Sequence, residues 1–157
     1  MTVIDIVSHS LAQTQRLGAK LAALLGPGDV LLLRGPLGAG KTSFTQGIAQ
    51  GLDVMAVVNS PTFILARQYP GRLPLYHMDY YRLDRPAEPA ELGFEEYFYG
   101  HGVTVVEWPE RAAGLPAEHL GVVFKMVNET KRGIRFEPHG ERYEHLVAEF
   151  RRTTFGM

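Results

Sequence analysis

The sequence predicts a three-layer α/β sandwich in which helices cover a mixed, mainly parallel central sheet with antiparallel additions. Two strongly apolar runs, residues 30–33 and 103–106, are typical of strands that are buried on both faces, as in a parallel sheet. Helical and strand patterns alternate in the first third of the chain, and strand patterns dominate later. This order of elements favours an α/β sandwich over an all-helical or all-strand fold.

Length and composition indicate one globular domain. The chain has 157 residues, a formal net charge of -1 and no cysteine. We expect a single domain over residues 1–157, because one domain typically takes about 150 residues. The lack of cysteine excludes a disulfide scaffold, a thiolate metal site and a cysteine nucleophile. The near-zero charge disfavours a strongly basic nucleic-acid binder.

The hydropathy pattern predicts no contact with a membrane. The longest uninterrupted apolar runs, residues 21–25 and 54–58, have five residues each. A membrane-spanning helix needs about 20. The N-terminus lacks the basic and apolar regions of a secretory signal. We therefore expect a cytoplasmic protein.

The first half of the chain carries clear boundary signals. Leucines at helical spacing predict a helix over residues 10–25, which ends at Gly26-Pro27-Gly28. A buried strand is predicted over residues 29–34. After a glycine-rich loop, a second helix is predicted over residues 41–52.

The second half reads mostly as strands. Two of them flank the turn dipeptide Pro70-Gly71 and predict a hairpin. The predicted elements are strands over residues 63–69, 74–79, 103–106, 121–127 and 133–137, and a C-terminal helix over residues 141–152.

The loop at residues 35–42 matches the phosphate-loop pattern G-x-x-x-x-G-K-[ST] in full, between a strand and a helix. Glycines let successive N–H groups turn toward phosphate oxygens, and the following helix presents its positive end to the same anion. In such loops the lysine reaches the β- and γ-phosphates and the hydroxyl residue lies on Mg²⁺. The pattern therefore predicts a P-loop nucleotidase, with phosphate contacts from Gly35, Leu37, Gly38, Ala39, Gly40, Lys41, Thr42 and Ser43.

ATP is the predicted nucleotide. The dinucleotide pattern G-x-G-x-x-G fails, because Ser43 stands where it requires the last glycine. The chain also has no Asn-Lys-x-Asp segment of the kind that reads guanine. Adenine is therefore favoured over guanine.

Two acidic residues stand where a hydrolytic site needs them. Asp79 ends the strand at residues 74–79, and Glu107 follows the strand at residues 103–106. A carboxylate at such a strand end can hold Mg²⁺ or position water. Spacing leaves open which of them does so, and whether either is merely a solvated strand-end residue. Spacing also favours a plain turn for residues 60–63, Ser-Pro-Thr-Phe.

Taken together, several segments resemble the TsaE family, also called YjeE, of small bacterial P-loop ATPases. The resemblance covers about residues 8–110, and its most specific parts lie outside the phosphate loop. The matching segments are residues 35–43 (GPLGAGKTS), 60–63 (SPTF), 76–83 (YHMDYYRL), 92–93 (LG) and 106–110 (VEWPE).

The resemblance implies an ATPase that associates with the TsaB–TsaD pair during threonylcarbamoyladenosine modification of tRNA, beside the anticodon. Contact with tRNA would be indirect or weak. Carried over by motif, Lys41 binds phosphate, Thr42 and Glu107 hold Mg²⁺, and Asp79 positions the attacking water. The resemblance also implies a switch-like loop at Thr62, site or partner contacts at Trp108 and Arg82, and an adenine-side segment with Ser10 and Thr14.

Two other functions are compatible with the phosphate loop. A small-molecule kinase would use the loop to transfer phosphate to a hydroxyl, but no lid-length insertion is evident. A nucleotide-bound interaction module would bind without turnover. The C-terminal third, with Lys131, Arg132 and Arg135, matches no motif and receives no functional prediction.

Overall fold

The computed structural model describes residues 3–59, 66–81, 97, 98 and 100–156. A 3₁₀ turn at Pro109–Arg111 separates the fifth and sixth strands. The helices and strands in chain order are β1 (Ile4–Ser8), α1 (Leu11–Ala22), β2 (Val30–Arg34), α2 (Lys41–Gly51), β3 (Ala66–Tyr69), β4 (Leu75–Asp79), β5 (Val103–Glu107), β6 (His119–Met126), β7 (Arg132–His139) and α3 (Glu141–Phe155).

The seven strands of the described residues form one sheet in the order β1-β7-β6-β2-β5-β4-β3. The four central strands, β6, β2, β5 and β4, pair in parallel. β7 and β1 add antiparallel pairs at one edge, and β3 forms the predicted hairpin with β4 at the other. The predicted mixed, mainly parallel sheet is confirmed. β2, which leads into the glycine-rich loop, lies at its centre.

Both faces of β2 are buried, as its apolar run predicts. Leu31 and Leu33 belong to a core shared with the three helices. Val30 and Leu32 belong to a second cluster on the opposite face, with Met78 and other apolar residues. Because side chains alternate along a strand, a run without polar residues fills both cores.

Helices α1 and α2 pack with their backbones in close approach. A Cβ atom on Gly47 would lie 2.0 Å from the carbonyl oxygen of Gln15, and one on Gly18 would lie 2.4 Å from that of Phe44. Only glycine fits at such a crossing. The crossing fixes α2, and so fixes the loop from which α2 begins.

The structure differs from the predicted elements at β1, at the end of α1, in the lengths of β6 and β7, and at α3, which runs to Phe155 instead of ending at residue 152. β1 was not predicted, because its five residues form a short, partly exposed edge strand that, among the described strands, pairs with β7 alone. α1 ends at Ala22 because the N–H groups of Leu24 and Leu25 bond three residues back rather than four. β6 and β7 have eight residues each and are longer than predicted.

Residues 63–65 of the predicted hairpin lie outside the described residues. Within the described part of the chain, no helix is long and apolar enough to cross a membrane.

Candidate functional site

The glycine-rich loop connects β2 to α2 in a conformation that side chains rarely allow. Gly38 has a φ of 78° and Gly40 a φ of 107°. α2 begins at Lys41 without a side-chain cap, and its first turn contains no acidic residue. The positive end of the helix therefore faces the loop with no carboxylate of its own to neutralise it. The loop and helix have the form of an anion-binding site.

Lys41 is held inside this loop. Its side chain is only 4% exposed, and Nζ donates a 2.6 Å hydrogen bond to the carbonyl oxygen of Gly35. Nζ also lies 3.7 Å from the centroid of the Trp108 ring. Burial lowers the pKa of the Lys41 ammonium, while the charges of Glu107, Glu110 and Asp79 act in the opposite direction. These contacts hold the Lys41 ammonium between the start of the loop at Gly35 and the Trp108 ring.

The two candidate acids stand side by side. Asp79 and Glu107 are register partners at the carboxyl ends of the parallel strands β4 and β5. Burial raises the pKa of the Asp79 carboxyl, against the N–H of Tyr81, which bonds Oδ1 at 2.9 Å. The negative charge of Glu107 raises it further, and Lys41 opposes that effect. The structure therefore brings Asp79, Glu107 and Lys41 into one electrostatic cluster.

Glu107 is nearly sealed from solvent. Its side chain is 3% exposed, and its Oε2 atom lies 2.5 Å from Nε2 of His77, which is fully buried. The backbone of Tyr80 donates to the Glu107 carbonyl oxygen at 3.1 Å. His77 has no predicted role, although it stands two residues before Asp79 on β4 and so shares its face. Two sequence signals point to it, namely this alternation and its place in the family-like segment at residues 76–83.

Trp108 forms an aromatic wall beside Lys41. It has a left-handed backbone with a φ of 57°, and its ring lies 4.9 Å from that of Tyr81. The guanidinium of Arg111 stacks near both rings and donates a 2.7 Å hydrogen bond to the carbonyl oxygen of Tyr81. The resemblance to the TsaE family implies a site or partner contact at Trp108. Its contact with Lys41 places it at the site.

The two N-terminal candidates, Ser10 and Thr14, make different contacts. Ser10 caps α1, since its Oγ accepts a 3.0 Å hydrogen bond from the backbone of Gln13. Thr14 is fully buried and lies 2.7 Å from Oγ of Ser8. A Cβ atom on Gly40 would lie 3.6 Å from Cγ2 of Thr14. Thr14 therefore packs under the phosphate loop, whereas the Ser10 hydroxyl serves the helix.

Arg132 is a loop contact that the sequence did not reveal. Its guanidinium donates to the carbonyl oxygens of Asn128, Glu129 and Lys131 through Nη1, and Nη2 reaches that of Gly38 at 3.4 Å. Its Nε is buried without a hydrogen bond in the described part of the chain. The side chain brings a positive charge to the phosphate loop. No motif marks it, because the contact depends on β6 lying beside β2.

The remaining predicted contacts fall at several positions of the loop or outside the structure. Leu37 is exposed at the loop, Ala39 is buried, and Thr42 and Ser43 are half-buried in the first turn of α2. Thr62 and Arg82, with residues 60–63 and 92–93, lie outside the described residues.

The donors near the loop suit a magnesium ion. Thr42 offers a hydroxyl oxygen and Glu107 a carboxylate, and Mg²⁺ prefers oxygen ligands. In nucleotide sites this ion is held by one or two carboxylates together with the phosphates of the substrate. Among the described residues there is no group of three or more His, Asp or Glu side chains arranged to hold a metal.

A sequence model of one family, "Threonylcarbamoyl adenosine biosynthesis protein TsaE", matches residues 8–134. The chain belongs to the TsaE family. The match extends past the motif segments into β7, and so includes Arg132. The predicted family is confirmed.

Curated TsaE proteins are similar over most of the chain, and each is named "tRNA threonylcarbamoyladenosine biosynthesis protein TsaE". The Bacillus subtilis protein is 47% identical over 89% of each chain. The Treponema pallidum protein is 43% identical over 82% of this chain and 96% of its own. The Nostoc protein is 39% identical over 94% and 96%, respectively.

A solved structure of another protein has the same α/β fold as this chain. The crystal structure of Bacillus subtilis YdiB superposes with a TM-score of 0.83 and 40% identity, over 97% of this chain and 96% of that one. The TsaE family and the P-loop fold indicate a nucleotide hydrolase.

Proposed function

We propose that this TsaE-family protein is a Mg²⁺-dependent ATPase required for threonylcarbamoyladenosine modification of tRNA, and that it acts on the TsaB–TsaD complex. The observation that carries the proposal is the convergence of Lys41, Asp79 and Glu107 at one end of the parallel sheet, beside a glycine loop. We place its action in the cytoplasm, as a single domain over residues 1–157. Contact with tRNA is then indirect or weak.

The loop binds the phosphates of ATP in this proposal. Backbone N–H groups at the start of α2 and the Lys41 ammonium are donors to phosphate oxygens. Lys41 Nζ uses one of its three donor positions on Gly35. The Arg132 guanidinium adds charge on the side of Gly38. Ser10 and Thr14 belong to the adenine side in this assignment, with Thr14 directly under the loop.

Thr42 and Glu107 would hold the magnesium ion. When bound, that ion supplies positive charge at the β- and γ-phosphate oxygens. Asp79 accepts a hydrogen bond from the attacking water, which adds to the γ-phosphorus as the bond to the ADP oxygen breaks. Burial raises the pKa of Asp79 and so makes its carboxylate a stronger base than an exposed one. The Tyr81 N–H donates a hydrogen bond to Oδ1 of Asp79 and so fixes the orientation of the carboxylate.

Reaction specificity is tested by hydrolysis assays with purified components. Phosphate release from ATP is measured for the protein alone, with TsaB–TsaD, and with Mg²⁺ replaced by EDTA. We expect slow release alone, faster release with TsaB–TsaD, and none in EDTA. Glu107→Gln serves as a hydrolysis-deficient control in the same mixtures.

Two results would overturn the proposal. A phosphorylated small molecule formed in place of free phosphate would support a kinase. Nucleotide binding without phosphate release in every mixture would support an interaction module.

A further inference from the structure

His77 is buried on β4, beside the proposed magnesium ligand Glu107 on the neighbouring strand β5. The side chain is fully buried on β4, and Nε2 lies 2.5 Å from Oε2 of Glu107. The other ring nitrogen, Nδ1, is buried without a hydrogen bond within the described residues. The ring therefore has one polar contact there, and that contact is with Glu107.

The direction of this hydrogen bond follows from the chemistry of the two groups. A carboxylate that ligates Mg²⁺ is ionised and only accepts hydrogen bonds, so in the proposed site Nε2 of His77 carries the proton and donates it. Burying an imidazole and a carboxylate is costly compared with burying apolar side chains of similar volume. Val105, the register partner of His77 on β5, shows the apolar type of residue that this layer otherwise holds. The polar pair is therefore poorly explained by stability alone.

The bond constrains a flexible side chain. A free glutamate samples many rotamers, and ordering its side chain costs up to about 2 kcal/mol of conformational entropy. His77 ties down Oε2 from a strand that is paired on both sides, by β3 and β5. The second oxygen, Oε1, then has a defined direction before any ligand arrives.

We propose that His77 is a positioning residue, which holds the Glu107 carboxylate in the orientation that magnesium–nucleotide binding requires. The inference rests on the proposed function, because it assigns Glu107 to the metal. His77 itself touches neither metal nor nucleotide in this assignment. Partners of ligating groups typically change metal affinity by about 10- to 100-fold when removed.

The test measures how strongly Mg²⁺ tightens the binding of AMPPNP, a non-hydrolysable ATP analogue. Titration calorimetry gives the Kd in EDTA and in saturating Mg²⁺, and their ratio is the coupling to the metal. We expect His77→Leu to reduce that ratio about tenfold and to leave the Kd in EDTA unchanged. His77→Gln places an amide donor near the Nε2 position and is expected to restore most of the ratio.

Folding is controlled independently. Thr104→Val removes a partly buried hydrogen bond on β5, from Oγ1 to the carbonyl oxygen of Tyr97, without touching Glu107. It is expected to lower thermal stability and keep the ratio. If His77→Leu does not fold, His77→Asn replaces it, because its shorter side chain displaces the donor from Glu107.

The outcomes separate the inference from the proposed function. An unchanged ratio in a folded His77→Leu variant, or in His77→Asn, overturns the positioning role while the ATPase proposal stands. Wild-type protein that fails to bind AMPPNP, or binds it without any effect of Mg²⁺, overturns the proposed function and the inference with it.

Discussion

The ammonium nitrogen of Lys41 lies 3.7 Å from the centroid of the Trp108 ring, directly above its face. Trp108 is the only tryptophan of the chain, and it immediately follows Glu107. The residue proposed to bind phosphate is thus in contact with the residue next to the proposed metal ligand. The end of β5 and the start of α2 are therefore in direct contact through Lys41 and Trp108.

Replacing Trp108 by leucine is expected to weaken AMPPNP binding about fivefold, since a partly exposed cation–π contact contributes about 1 kcal/mol. The ring confines the flexible Lys41 side chain and excludes water from it. Trp108→Phe keeps an aromatic face and should retain most of the affinity. Titration calorimetry checks both variants, and a leucine variant that binds as tightly as wild type would show that the contact is incidental.

Asp79→Asn is expected to reduce ATP hydrolysis about 100-fold or more, as the loss of a general base typically does. The amide keeps the shape of the side chain but cannot take a proton from water. The Kd for AMPPNP should change by no more than about twofold, because Lys41 and the loop remain. Single-turnover phosphate release measures the chemical step. Normal turnover by this variant would remove Asp79 from the site.

The same variant is expected to be more stable than wild type at neutral pH. Burial raises the pKa of Asp79 above its ordinary value of 3.8. Between 3.8 and the raised pKa of the native state, the unfolded chain has lost the Asp79 proton and the native chain retains it. The free energy of unfolding therefore falls as pH rises through this window. Wild type therefore remains less stable than Asp79→Asn at neutral pH, and this difference disappears as pH falls toward 3.8.

Thermal unfolding from about pH 4 to about pH 8 checks the sign of this effect. The difference in Tm between Asp79→Asn and wild type should grow with pH and then level off. Asp53→Asn is the matched control, because Asp53 is exposed and asparagine tolerates its φ of 60°. A Tm difference that is independent of pH would mean that Asp79 carries no burial cost.

Arg132→Gln is expected to weaken nucleotide binding and to loosen the turn between β6 and β7. The guanidinium bonds three carbonyl oxygens of that turn as well as Gly38, and glutamine cannot span both. Lys131→Gln, at the exposed neighbouring position, controls for the loss of one positive charge. Hydrogen exchange of residues 127–132 and AMPPNP titration report the two effects. Equal behaviour of the two variants would contradict the contact with the loop.

The sequence predicted the elements that are marked by a local residue pattern, such as an apolar run or a glycine-rich loop. The apolar runs gave β2 and β5, and the glycine loop with Lys41 was recognisable from its spacing between a strand and a helix. Asp79 and Glu107 were recognisable as strand-end acids. β1 was missed because a short edge strand has little pattern of its own.

Long-range contacts were beyond a single sequence. The bond between His77 and Glu107 requires that β4 pair with β5, although 23 residues (80–102) separate the two strands along the chain. The contact of Arg132 with Gly38 requires that β6 lie beside β2. Chain order does not specify which strands are neighbours. The phosphate-loop motif therefore located the site but did not reveal that His77 and Arg132 contact it.

Titration of AMPPNP and Mg²⁺ into wild type and Lys41→Ala tests the central claim, a nucleotide site built on Lys41, most directly. Charge-assisted hydrogen bonds contribute about 1.5–3 kcal/mol, so loss of Lys41 is expected to raise the Kd at least about tenfold. Lys131→Ala, at an exposed position, should bind like wild type. Equal affinity of Lys41→Ala and wild type would contradict a nucleotide site built on this loop.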